Sequence, residues 1–207
     1  MSVRRRVLLV FVCLLGAAAA PHQAAATQVN NAVRHIETLG EQALSTLRQS
    51  GMPLAQREQA FGEILRDGFD LPLIGRFVLG RYWRKANDDQ RRDYLDAFSD
   101  YVIKTYASRL GGFKGQSFSV VGTQIAGDKK DVFVNTRIEQ NSGPPIEAAW
   151  RVREIDGKDK IIDVVVQGVS MAVTQREEFA SVTRQSGVEG LVQVLRAQTE
   201  RLAATSG

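Results

Sequence analysis

The sequence predicts an α+β fold in which a four-stranded antiparallel meander packs against several helices. Three observations carry this. Residues 160–173, KIIDVVVQGVSMAV, crowd Ile161, Ile162, Val164, Val165, Val166 and Val169 onto both parities of a short stretch, so a strand there is apolar on both faces. Apolar positions step by threes and fours in the first half of the chain and alternate in the second, the spacings of helix and strand respectively. The alternating stretches are joined by short turn clusters, which makes neighbouring strands antiparallel.

The first helix is predicted over residues 28–49, where Val29, Val33, Ile36, Ala43 and Leu47 share a face. Gly51-Met52-Pro53 closes it and opens a second, with Leu54, Phe61, Ile64 and Leu65 buried and Gly68 as the stop. Asp70 is the N-cap of a third, short helix with Pro72 in its first turn. Gly80 breaks that helix, and Tyr82 and Trp83 follow at once. Such aromatics suit a core end or the rim of a pocket, where an apolar wall meets water. Asn87 and Gln90 stand at capping-box spacing before a long helix. Its stripe of Tyr94, Leu95, Phe98, Tyr101, Val102, Thr105 and Tyr106 runs to a stop at Gly111-Gly112. The stripe is wider than one neighbouring helix can cover, so a sheet or a ligand must cover the rest.

Strands are predicted over 118–125, 131–139, 146–155 and 160–173, with turns at Gly127-Asp128, residues 141–145 and Asp156-Gly157. Val132, Val134, Thr136 and Ile138 oppose Asp131, Asn135, Arg137 and Glu139, and Ile146, Ala148, Trp150 and Val152 oppose Glu147, Arg151 and Arg153. One face of the sheet is apolar and the other largely wet. Gln167-Gly168 marks a bend or a close backbone approach. A second capping box, Thr174 to Glu177, opens a helix that stops at Gly187, and a last helix runs from Val188 past Leu191, Leu195 and Leu202.

The N-terminus reads as a processing signal. Arg4–Arg6 supplies the positive region, Val7–Leu15 the apolar core and Ala24–Ala26 the small-residue cleavage site. The apolar run is too short to span a bilayer, and cutting after Ala20 would leave Pro21 beside the scissile bond. Residues 1–26 are therefore expected to be removed, leaving a single domain over 27–207. Cys13 departs with the signal, so the mature chain has no disulfide although it enters an oxidising compartment. The pI of 9.4 comes mostly from the signal: without its three arginines the chain has 24 basic against 23 acidic residues. That balance excludes a general nucleic-acid binder, which needs a clustered basic field.

Catalytic chemistry is poorly provided for. His35 is the one histidine left after cleavage and reads as a helix-surface residue, so neither a Ser-His-Asp triad nor a His-based metal site can be assembled elsewhere. No phosphate-binding loop or dinucleotide fingerprint is present, and no cofactor is expected. Asp163 is the best acid/base candidate, a carboxylate on a buried strand that an isomerase-like enzyme would pair with a tyrosine. An ion pair with Arg76, Arg81, Arg84 or Arg151 is the commoner explanation for such a residue.

Three stretches in order, FVLGRYWR at Phe77–Arg84, YASRLGGF at Tyr106–Phe113 and IIDVVVQGVSMAVTQREEFASV at Ile161–Val182, give the chain its resemblance. It resembles the MlaC-type family, also called toluene-tolerance auxiliary proteins, which includes the hopanoid-associated HpnM branch. The resemblance spans essentially the whole mature chain. One departure is Gln167, where Glu is more often expected before GVS. The resemblance implies a monomeric periplasmic carrier that moves phospholipid between an outer-membrane lipoprotein complex and an inner-membrane ABC transporter with its MCE-domain subunit. It also implies a deep apolar pocket for the tails between sheet and helices. Hopanoid or another polycyclic lipid is the alternative cargo, and bound lipid rather than a cofactor is the ligand. A diacyl lipid has about thirty methylenes, so at roughly 0.8 kcal/mol each its extraction costs on the order of 20 kcal/mol. Near-complete enclosure is needed to offset that. The wall candidates are Phe77, Tyr82, Trp83, Phe98, Tyr101, Val102, Val134, Trp150, Val164 and Val166.

Overall fold

Helices precede the sheet in the chain, and one long helix follows it. In the computed structural model of the protein, residues 21–49, 51–107, 117–128, 130–140 and 142–205 are described. The signal-like first twenty residues and the expected stop at Gly111-Gly112 lie outside them. The helices are α1 (Pro21–Arg48), α2 (Leu54–Gly68), α3 (Leu71–Leu79), α4 (Asp88–Ala107) and α5 (Met171–Thr205), with a 3-10 turn over Gly80–Arg84. The strands are β1 (Ser117–Ile125), β2 (Asp131–Glu139), β3 (Ile146–Ile155), β4 (Lys158–Val166) and β5 (Val169–Ser170). They form one antiparallel sheet in sequence order, a five-stranded meander.

The fifth strand is the difference from the four expected. The apolar run over 160–173 is not one strand: Gln167 and Gly168 take φ of 51° and 81°, the paired positive values of a tight hairpin turn. Val169 and Ser170 fold back onto Val166 and Val165. α5 then starts at Met171, earlier than the Thr174 box implied. Its first turn is capped from outside the helix. Asp163 Oδ1 accepts from the Ala172 amide at 3.1 Å, and Ser170 Oγ accepts from the Val173 amide at 3.1 Å. Thr174 Oγ1 instead donates back to the Ser170 carbonyl inside the helix.

Other local signals act where expected. The Gln90 amide donates to Asn87 Oδ1 at 2.8 Å and the Asn87 amide to Gln90 Oε1 at 3.0 Å, a reciprocal capping box. Asp70 Oδ1 accepts from the Leu73 amide. Gly80 leaves α3 with φ of 58°, and Gly187 kinks α5 with φ of 71°, backbone angles that favour glycine.

Buried apolar side chains fall into three clusters. α3, α4 and α5 share Val78, Tyr94, Phe98, Phe179, Leu191 and Leu195. α1 lays Ala32 and Ile36 on Val132, Val134, Val152 and Ile161 of the sheet. Leu65, Leu71 and Ile103 join α2, α3 and α4. α3 and α4 approach closely: a Cβ on Gly75 would lie 2.9 Å from Phe98, and the buried Tyr94 hydroxyl donates to the Gly75 carbonyl at 3.0 Å. Burial pushes the Tyr94 phenol well above its usual pKa.

The charged row on the outer face of the sheet is not uniformly wet. Asp131 is fully buried between Arg151 and Arg153 of β3. Arg153 Nε donates to Oδ1 at 2.6 Å, and Arg151 Nε to Oδ2 at 2.6 Å. Burial alone would raise this carboxyl, but the hydrogen bonds from Arg153 and then Arg151 outweigh it and hold the pKa below its ordinary value. Among the described residues no helix is long and apolar enough to cross a membrane.

Candidate functional site

The three clusters leave a seam between the sheet and the helices. Phe69 bridges it, packing against both the sheet cluster and the α2–α3–α4 cluster, while Val102 joins the two helical clusters beside it. Phe69 stands in the short link between α2 and α3. There it makes a parallel bridge to Ile161 of β4, and the next amide, of Asp70, donates to the Ile161 carbonyl at 3.0 Å. Tied to the strand edge in this way, the ring meets Trp150 edge-on, with centroids 6.4 Å apart.

Register sets the sheet side of the seam. Val134, Trp150 and Val164 lie in one cross-strand row, and Thr136, Ala148 and Val166 in the next. The Trp150 indole N–H donates to Thr136 Oγ1 at 2.8 Å, and that hydroxyl donates to the Ala148 carbonyl at 3.3 Å. This chain of donors fixes the indole across the apolar face and satisfies its one polar atom.

The ten wall candidates separate by position. Tyr101, Val102, Trp150, Val164 and Val166 are half-buried; the first two pack against the helical clusters, and Trp150 and Val164 against the sheet cluster. Phe98 and Val134 are fully buried, Phe98 stacked on Tyr94. Tyr82 and Trp83 pack half-buried against the α3–α4–α5 core, and Phe77 is exposed on the outside of α3. Phe69 is not among the residues the sequence reading singles out. The signal for Phe69 was an aromatic in a link too short to be helix, between the Gly68 stop and the Asp70 cap.

Among the described residues Asp163 makes no ion pair, contrary to expectation. Its Oδ2 accepts from Ser170 Oγ at 2.6 Å and its Oδ1 from the amides of Val164 and Ala172. The carboxylate is spent on turning β4 into α5, while Arg151 serves Asp131. His35 is likewise not a plain surface residue: it is half-buried, with Nε2 3.1 Å from the Gly68 carbonyl. It lines an open polar cleft of about 420 Å³ with Asn31, Arg34, Asp67, Asp159 and Lys160. Burial raises the pKa of Asp159, with His35 opposing and Glu154 adding to it. A second polar cleft of about 370 Å³ lies between α1 and α2. Neither cleft is at the apolar seam. Among the described residues no group of three or more His, Cys, Asp or Glu is placed to hold a metal ion.

The sequence model of the family described as "MlaC protein" matches residues 37–197. The chain belongs to the MlaC family. Over 191 residues it is 25% identical to the toluene tolerance protein ttg2D of Pseudomonas putida, covering 90% of this chain and 85% of that one. It is 27% identical over 128 residues to the intermembrane phospholipid transport system binding protein MlaC of Haemophilus influenzae. That match spans 59% of this chain and 59% of the relative's length. Among solved structures, the phospholipid-binding protein of Ralstonia solanacearum, in complex with a phospholipid, superposes with a TM-score of 0.74 at 26% identity. The superposition covers 84% of this chain and 99% of that one. Of these relatives, the Haemophilus influenzae and Ralstonia solanacearum proteins are named for phospholipid, and none of the three is named as an enzyme.

Proposed function

We propose that this protein is a soluble periplasmic carrier that holds a phospholipid by its tails. In this reading it is exported, loses residues 1–26, and shuttles as a monomer between an outer-membrane lipoprotein complex and an inner-membrane MCE-domain ABC transporter. The tails lie in the seam, with Tyr101, Val102, Trp150, Val164 and Val166 as wall and Phe98 and Val134 as the packed layer, while Phe77, Tyr82 and Trp83 stand outside it beneath arginines. The observation that carries the reading is the seam itself. Phe69 and Val102 join clusters that otherwise pack separately, and the apolar side chains around them are only half-buried. Native interiors are close-packed, with few voids larger than a water, so a line of half-buried apolar groups between cores is where acyl chains gain most by entering. The phospholipid bound by the Ralstonia solanacearum relative supports the same reading.

The test is the protein purified from its own periplasm. Intact mass is expected to begin at Thr27, and organic extraction with lipid mass spectrometry to find close to one diacyl phospholipid per chain. A hopanoid in the extract would replace the cargo. Folded protein that is empty and refuses added phospholipid would overturn the carrier.

A further inference from the structure

The stretch FVLGRYWR and the facing part of α5 build a cationic face that lipid enclosure does not use. Arg176 of α5 lies over the Phe77 ring at 5.0 Å, and Arg81 over Tyr82 at 5.0 Å. Arg76 and Arg91 both approach Trp83, at 5.9 and 5.3 Å. Arg81 also donates to the Tyr82 hydroxyl at 3.1 Å, and Arg184 stands beside the same phenol, whose pKa the two guanidinia lower. Gly80 lets these elements close up: a Cβ there would sit 2.9 Å from Arg176 Nε.

Arg91 pairs with Asp88, but among the described residues Arg76, Arg81, Arg176 and Arg184 form no ion pair, although elsewhere Asp131, Glu58 and Glu139 are all paired. All four are exposed. With mature charge close to balance, such a concentration is local and not a spill-over from a basic chain.

We propose that this arginine-on-aromatic face is a docking surface for an acidic protein partner, resting on the carrier reading only for who that partner is. Guanidinia held flat on rings present their donor forks in fixed places, which suits a fixed pattern of carboxylates. Arginine, tryptophan and tyrosine are also the residues over-represented in interface anchors. A bilayer would be served by cations free to reach headgroups and by aromatics protruding to wedge into lipid. Here the rings lie beneath the cations, and Tyr82 and Trp83 pack against the core.

The experiment compares wild type with two triple variants at Arg81, Arg176 and Arg184, one to Glu and one to Lys. Binding is measured to the purified MCE-domain complex, to the purified outer-membrane lipoprotein complex, and to vesicles of phosphatidylethanolamine and phosphatidylglycerol. Lipid content and melting temperature are read on the same samples. The Glu variant should keep its lipid and its fold and lose about tenfold or more in affinity for one complex. The Lys variant should lose part of that affinity although its charge is unchanged, and added salt should weaken wild-type binding steeply. Unchanged affinity of the Glu variant for both complexes overturns the proposal, as does wild type that binds neither. Arginine-dependent binding to vesicles alone overturns it in favour of a membrane surface, and lipid loss in the Glu variant assigns the cluster to the cargo site instead. Wild type that is lipid-free yet docks through these arginines would fail the carrier reading and keep this one.

Discussion

Phe69 and Trp150 meet edge-to-face across the seam, their ring planes at 71° and their centroids 6.4 Å apart. One comes from the link between two helices and the other from the third strand of the sheet. Their contact is one of the places where the helices and the sheet close on each other. The geometry is a favoured one for aromatic pairs, and the indole is held to it by its hydrogen bond to Thr136.

The two tryptophans of the chain report on different places. Trp150 belongs to the seam, whereas Trp83 packs on the helical core beneath Arg76 and Arg91. In single-tryptophan variants, Trp83→Phe and Trp150→Phe, loading with a phospholipid brominated on its acyl chain is expected to quench Trp150 emission and to leave Trp83 largely unquenched. Equal quenching of both, or quenching of Trp83 alone, would move the tails out of the seam.

Val166 and Val120 share one cross-strand row, Val120–Thr136–Ala148–Val166, which Val169 extends beyond Val166. Both are half-buried, but Val120 packs against the α1–sheet cluster. Val166→Trp is expected to fold and to hold no lipid, because the indole takes space that acyl chain would fill. Val120→Trp is expected to overpack an interior and lose about 1–3 kcal/mol. Melting temperatures must be compared with delipidated wild type, since lipid loss by itself lowers apparent stability. A Val166→Trp protein much less stable than that reference would make the position ordinary core.

The Asp131 carboxylate makes stability depend on acid. Its folded pKa is depressed, so its contribution is fully present above the unfolded value of about 3.9 and is lost as pH falls through the lower folded value. Asp131→Asn is expected to cost about 1–3 kcal/mol at neutral pH, because a buried acceptor for two guanidinia is weakened. The gap to wild type should close as pH drops below about 4. Urea unfolding of both proteins across that range measures it. A gap that stays constant with pH would mean the carboxylate charge contributes nothing.

What the sequence determined by itself is whatever a few neighbouring residues can settle. The Asn87–Gln90 box, the Asp70 cap, the Gly80 break and the three strands over 118–155 lie within a residue of where spacing and capping chemistry put them. Those features are hydrogen bonds and side-chain periodicities over two to four residues, so they survive without knowledge of the fold. The motif resemblance added the family. Only the tertiary structure decided the fate of groups whose partners are distant in the chain. Asp131 reads as a wet-face acid until Arg151 and Arg153, 20 and 22 residues on, enclose it. Asp163 reads as a buried acid until its hairpin returns and presents the Ala172 amide to it. Phe69 reads as a loop residue until the sheet, 81 positions later, supplies Trp150. A charge or a ring takes its energy from what surrounds it, and those surroundings exist only once the helices and the sheet have closed around the seam.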